Sequence, residues 1–323
     1  MALYTKLSVK QITSLATHFN LLSPHKIRGV LEGTVNTYYE LIYPKRAFFL
    51  RVDEVADLRR LKNELKVFQL LKRIQKGLLF KTPLPLETKK GKYYVPLGKK
   101  YVLLFEKIHG ASYFHHRLKG KHLFQIGRAL AQLHQTTNKA PLPPHRFYFR
   151  GMEAVYRQIL PKLKKKHPTV ALDIGQWMSW LKKNEPRELP AGLIHADLFP
   201  ENLLFVRDRL EGILDYEAAG HGPYLFDIAV TLHACCHDGK NFSIEKCRKF
   251  LRGYQSVRKL SLKEKKWFEY YLYQSALRFL LTRLRDFELR KGDVAAKPFK
   301  DYREYLRRFS EIPFILPRFF PSL

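Results

Sequence analysis

Strand-like apolar runs concentrate in the first third of this chain, and helical stripes dominate the rest. Residues 8–20 (SVKQITSLATHFN) place Ile12, Leu15, Ala16 and Phe19 at helical spacing behind a capping Ser8. Residues 27–41 read as two strands around a turn that contains glycine, and Ala47–Val52 as a third strand. A helix is expected over Val55–Ile74, then a turn into another strand over 78–86 and a Gly/Lys-rich hairpin over 89–100. The unbroken apolar run YVLLF at 101–105 is a buried strand. Beyond it, Leu123–His134 puts Ile126, Leu130 and Leu133 on one helix face, with His134 as a helix-end residue. A Pro-rich loop at 141–149 precedes Lys-rich helical segments to Lys183, and the chain is helical again past Asp238.

The interval between these helical regions breaks the pattern. Residues 192–236 carry His195-x-Asp197, then Asn202, then Asp215 behind an apolar run, then Asp227 opening a new apolar helix for which it also serves as a cap. Leu203–Val206 and Gly212–Leu214 read as short strands on either side of a polar turn, which returns Asp215 to the neighbourhood of Asn202. The spacing Asp-x-x-x-x-Asn, running straight into a strand, is that of a kinase catalytic loop: the aspartate accepts a hydroxyl proton and the asparagine holds a metal. Asp215 is then the second candidate metal ligand. His195 reads as a buried histidine that hydrogen-bonds the loop backbone, and Asp227 as a second support of the same loop.

Charge sharpens this picture. The chain has 59 Lys and Arg against 29 Asp and Glu, a formal charge of +30, yet residues 187–239 hold nine acidic residues, three arginines and no lysine. An acidic island in so basic a protein fits a divalent cation, since Mg²⁺ takes oxygen ligands and shares them with phosphate. The surrounding basic surface suits attraction of anions such as ATP; zinc-finger spacing and RNA-recognition signatures are absent, which makes nucleic acid an unfavoured partner. With 323 residues, 46% of them hydrophobic, the chain is long enough for a sizeable core and two lobes. No apolar run reaches the length of a membrane span, and the opening residues lack the core of a signal peptide. Three cysteines without CxxC spacing suit reduced thiols and a cytoplasmic location.

The three ordered motifs, His195-x-Asp197-x-x-x-x-Asn202, Leu214-Asp215-Tyr216-Glu217 and Asp227-Ile228-Ala229, resemble the aminoglycoside phosphotransferase and choline kinase superfamily of protein-kinase-like enzymes. Gly33-x-x-Asn36-Thr37, Leu225-Phe-Asp-Ile-Ala-Val and the helix Arg278-Phe279-x-x-Thr282-Arg283-Leu284 extend the likeness to its homoserine kinases. The resemblance implies a two-lobed α+β kinase-like fold: an N-lobe of residues 1–107 with a small antiparallel sheet, and a larger helical C-lobe of 108–323. It implies MgATP held between the lobes and a small-molecule hydroxyl acceptor. Gly29, Gly33 and Asn36 would serve the nucleotide from the hairpin, Arg51 would stand where protein kinases place a phosphate-binding lysine, and Glu64 would be its partner. The backbone of Glu106 to Ile108 would meet adenine. For the acceptor, Arg278 and Arg285 on one helix face, or Arg283, would clamp a carboxylate, and Glu217 or Asp286 would receive an ammonium. The rival readings are a choline, aminoglycoside or other hydroxyl kinase of the superfamily, and a non-catalytic kinase-like module that binds RNA.

Overall fold

The computed structural model describes residues 3–31, 35–137, 141–145, 147–239, 241–289 and 300–319. They divide into two compact units, one of residues up to Lys76 with Lys81–His109, the other of Gly77–Phe80 with the residues from Gly110 onward.

The first unit is a five-stranded antiparallel sheet with two helices. Strands β1 (Lys26–Val30), β2 (Thr37–Ile42), β3 (Ala47–Asp53), β4 (Val95–Leu97) and β5 (Lys100–Glu106) lie in the order β1-β2-β3-β5-β4. Alternation drives the register: Tyr39, Leu41, Phe48, Leu50, Val52, Val102 and Leu104 turn to one side and pack against Ile12, Leu15, Ala16 and Phe19 of and beyond helix α1 (Val9–Thr17). Ser8 begins that helix with a capping box completed by Gln11. Helix α2 (Leu58–Ile74) starts later than its apolar pattern suggests, because Asp57 accepts the N–H groups of Arg59 and Arg60 and so sets the start. The strand expected within 78–86 does not form; Pro83 and Pro85 lack the donors a ladder needs, and Lys81 and Pro85 make isolated bridges, the latter to Phe105.

The second unit is mainly helical. Its helices are α3 (Gly120–Thr136), α4 (Phe149–Lys166), α5 (Pro168–Lys183), α6 (Tyr224–Cys235), α7 (Ile244–Gln255), α8 (Leu262–Lys266), α9 (Phe268–Arg283) and α10 (Arg303–Phe319). Two small antiparallel pairs interrupt them, β6 (Ala191–Ile194) with β9 (Gly220–Pro223), and β7 (Leu203–Val206) with β8 (Arg209–Ile213). The β7–β8 turn has Arg207 and Asp208 at φ of 47° and 65°, as a tight hairpin demands. Asp208 ties that turn to α3 through Lys121 and the His122 ring.

Helices α3 and α7 touch backbone to backbone. A Cβ at Gly127 would lie 2.2 Å from the carbonyl oxygen of Phe250, and one at Gly253 would lie 2.0 Å from that of Phe124. Nothing larger than hydrogen fits between these helices. Among the described residues, no helix is long and apolar enough to cross a membrane.

Alanine at an exposed helical glycine normally gains about 1 kcal/mol from propensity. Here Gly127→Ala and Gly253→Ala are expected to do the opposite and lose about 1–3 kcal/mol through overpacking, read by urea unfolding. A neutral or stabilising effect would contradict the close approach.

Candidate active site

The loop after β6 is built around one buried carboxylate. Asp227 lies in the first turn of α6 and does not cap that helix, whose N-cap is Pro223. Its oxygens instead point at a loop some thirty residues earlier. Oδ2 accepts the His195 N–H and Oδ1 the Ala196 N–H, both at 2.8 Å. Ala196 sits at φ 61°, a left-handed conformation costly for a residue with a Cβ, and the Asp227 bond holds it there.

Behind Asp227 stands a chain of groups that the sequence pattern did not reveal. His134 Nε2 lies 3.0 Å from Asp227 Oδ2, and its Nδ1 lies 2.8 Å from the Tyr254 hydroxyl. Arg258 donates to the same hydroxyl oxygen and to Glu264. With that oxygen accepting from Arg258, the phenol proton is left for Nδ1, and the Nε2–H of a neutral His134 donates to Asp227. Burial pushes the His134 imidazole below its usual value against the pull of Asp227. Burial alone would raise the Asp227 carboxyl, but the hydrogen bonds from His134 and the His195 backbone outweigh it and hold the group ionised. The Gly127–Gly253 contact matters here, because His134 is on α3 and Tyr254 is on α7.

His195 is buried and bridges the two ends of the site. Nδ1 accepts from the Asp197 N–H at 3.3 Å, and Nε2–H donates to the Leu214 carbonyl at 2.8 Å. This pattern requires the neutral ring, which burial favours. Asn202 donates its amide to the Asp197 carbonyl at 2.9 Å, and its own carbonyl accepts from Leu214 N at 2.8 Å. The β7–β8 hairpin, with Leu203 opposite Ile213, therefore sets Asp215 beside Asn202. Asp215 is exposed and left-handed at φ 62°, with Glu217 N 3.4 Å from its Oδ1.

Asp197 is half-buried, and its carboxylate meets Arg278 of α9 at 3.0 Å. The Arg278 guanidinium stacks between Phe147 and Phe279, 3.9 and 3.8 Å from the ring centroids. The other two expected arginines do not join it. Arg283 donates to the Asp301 carbonyl and to Glu304, which fastens the start of α10. Arg285 falls in a π-helical turn, Leu284–Glu288, that breaks the helical register, and it forks onto its neighbour Asp286. The expected carboxylate contacts, Arg278 with Arg285 or else Arg283, are thus not brought together here: Arg285 is paired with Asp286 and Arg283 with Glu304.

In the first unit, Arg51 of β3 and Glu64 of α2 are buried and form a two-pronged pair, both contacts 2.7 Å, with the guanidinium 5.4 Å from the Phe105 ring centroid. Gly29 is not a turn residue: it lies within β1 opposite Tyr39, and a Cβ there would come within 2.6 Å of Leu3. Gly33 lies outside the described residues. Asn36 is buried, and its side-chain oxygen accepts from Glu54 N. Glu106 ends β5 exposed and paired with Arg46, and Ile108 is half-buried.

The donors at the loop suit a hard cation. The Asn202 amide nitrogen is committed to Asp197, which leaves its oxygen, and Asp215 adds a carboxylate. Among the described residues there is no ready-made cluster of three His, Cys, Asp or Glu. Two oxygen donors of this kind could hold a hard divalent cation, which takes one or two protein oxygens and completes its shell with water and phosphate.

Fold and loop together define a kinase-like phosphotransferase. Solved structures share the fold: amicoumacin kinase hAmiN in complex with AMP-PNP, Ca²⁺ and Ami (TM-score 0.71, 18% identity, 94% of this chain and 92% of that one), and spectinomycin phosphotransferase APH(9)-Ia in complex with ADP and spectinomycin (0.69, 16%, 97% and 100%). Residues 26–260 match the Phosphotransferase enzyme family. Homoserine kinases of Parvibaculum lavamentivorans (30% identical over 312 residues, 95% of each chain) and Chelativorans sp. (31% over 311 residues, 95% of this chain and 94% of the other) match nearly from end to end. The chain belongs to the homoserine kinase family within the phosphotransferase enzyme family.

Two measurements test the buried framework. Asp227→Ala is expected to cost about 3–5 kcal/mol, since it strands buried donors from His134, His195 and Ala196. Separately, burial depresses the imidazoles of His134, His145 (down to about 3), His195 and His233. Such groups bind protons more readily when unfolded, so stability present above the unfolded value of 6.5 is lost as pH falls below it. The loss is up to about 1.4 kcal/mol per pH unit for each group. Urea unfolding at pH 7, 6 and 5 should show this decline, and a flat profile would contradict neutral buried histidines.

Proposed function

We propose that this protein transfers the γ-phosphoryl group of ATP to the side-chain hydroxyl of L-homoserine, yielding O-phospho-L-homoserine and ADP on the route to threonine. The observation that carries the chemistry is the arrangement in which the loop with Asp197 and Asn202 and the end of the β7–β8 hairpin before Asp215 are tied together through the backbone and His195. The acceptor follows from the homoserine kinases that match the chain over 95% of its length.

Asp197 takes the hydroxyl proton as the acceptor oxygen attacks the γ-phosphorus in line and the bond to the ADP oxygen breaks. Its backbone N–H is held by His195 and its carbonyl by Asn202, so the carboxylate is presented in one orientation. The Asn202 oxygen and the Asp215 carboxylate are the residues that would hold Mg²⁺. The ion supplies charge neutralisation at the phosphates when bound. In the first unit, the Arg51–Glu64 pair, Gly29, Asn36 and the backbone from Glu106 to Ile108 are the nucleotide-facing candidates, with Gly33 beside them in sequence. Glu217 is the candidate acceptor for the substrate ammonium. The basic surface favours encounter with anionic ATP. The three cysteines are free and buried, which suits a cytoplasmic enzyme.

Coupled ADP release with MgATP and a panel of L-homoserine, L-serine, choline and an aminoglycoside is expected to show turnover with homoserine. Preference for another panel member would overturn the acceptor. Asp197→Asn should lower kcat about 10²–10⁴-fold with the fold intact; near-normal turnover would remove Asp197 as the base. Asp215→Ala should lose Mg²⁺-dependent ATP binding by calorimetry, and unchanged affinity would exclude it from the metal shell.

A further inference from the structure

Two of the four groups that fix Asp197 are local, the His195 ring on its N–H and the Asn202 amide on its carbonyl, and a third, Asp227 of α6, anchors the two residues before it. The fourth comes from a distant helix. Arg278 reaches Asp197 Oδ1 with one amino group at 3.0 Å, its side chain 6% exposed against 31% for the aspartate.

We propose that Arg278 is a positioning residue for Asp197: its guanidinium, immobilised between Phe147 and Phe279, holds one carboxylate oxygen and leaves the carboxylate's exposed side to take the acceptor's proton. The proposal rests on reading Asp197 as the group that accepts that proton.

The stacking explains why the residue is an arginine. A flat guanidinium lies against two ring faces at 3.8–3.9 Å and still keeps one amino nitrogen 3.0 Å from the Asp197 carboxylate, an arrangement that a lysine ammonium on a flexible stem does not reproduce. As a stabilising device the arrangement is inefficient. The charge is fully desolvated, burial pushes the guanidinium below its usual value despite Asp197, and Nε is buried without a partner. As a positioning device it is effective, because neither ring nor helix lets the guanidinium swing away.

A substrate clamp is the competing role, and it separates kinetically. Arg278→Met and Arg278→Lys in the full chain are to be measured in the wild-type and Asp197→Asn backgrounds, with MgATP and L-homoserine. Loss of positioning in Arg278→Met should lower kcat about 10²-fold with the acceptor KM within about threefold. Arg278→Lys keeps the charge and should recover part of the rate. In the Asp197→Asn background, Arg278→Met should cost no more than about twofold further. A KM increase at unchanged kcat would overturn the proposal in favour of a clamp, and equal losses in both backgrounds would overturn it in favour of a general structural role. Thermal unfolding of the same four-variant cycle reads the pair without catalysis. Non-additive Tm changes with no turnover of any acceptor would uphold the pairing and overturn only the homoserine reading. Additive Tm changes would overturn the pairing itself.

Discussion

The arrangement of the second unit depends on the Asp227 carboxylate, a negative charge with no access to solvent. An ionised group at such a site is tolerated only if donors surround it. Here the donors are His134, the His195 N–H and the Ala196 N–H. Each donor imposes something on the chain that supplies it. The backbone donors force the loop into a left-handed step at Ala196, and the imidazole forces α3 to bring His134 to the first turn of α6. Meeting the needs of one buried charge therefore sets the geometry of the segment that carries Asp197.

The consequence extends outward by hydrogen-bond valence. His134 can donate to Asp227 only if its other nitrogen accepts, which calls for the Tyr254 proton, which in turn leaves that phenol oxygen for Arg258. Helix α7 must approach α3 closely enough to deliver Tyr254, and paired glycines make this possible. A packing contact between two helices is thus coupled to the loop through a single line of polar groups, and misalignment at any point leaves a buried atom unpaired.

What was legible in the sequence follows from range. Asp197, Asn202 and Asp215 could be read as a set because one loop and one hairpin bring them together, and short spacing encodes both. The sheet was legible because alternation sets strand faces, and Asp57 displaced only the start of α2. Asp227 was read both as a cap for its own helix and as a support of the loop; the cap does not form, and its partners His195 and Ala196 lie thirty-odd residues away. His134 was taken for a helix end because it closes an apolar helical stripe, in the last turn of α3; its partners are 93 and 120 residues distant. Gly127 and Gly253 carry no signal until two helices are seen to cross. Arg285 shares a face with Arg278 on a helical wheel, and Arg283 was the alternative on the same helix. A π turn and the acidic neighbours Glu304 and Asp286 make them different.

Two of the pairs that buried arginines make with carboxylates show how geometry separates one use of charge from another. Arg51 offers both amino groups to both oxygens of Glu64, a closed fork in which each carboxylate oxygen has its donor and α2 is pinned to β3. Arg278 offers one amino group to one oxygen of a carboxylate that remains about one third exposed. Both pairs neutralise a buried cation, yet only the second leaves its carboxylate partly exposed. A closed fork at Asp197 would occupy the oxygen that the proposed proton transfer needs. An unpaired Asp197 would rotate freely about its own side chain. The single contact from a ring-bound guanidinium lies between these extremes: enough attraction to fix direction, with one face of the carboxylate still open.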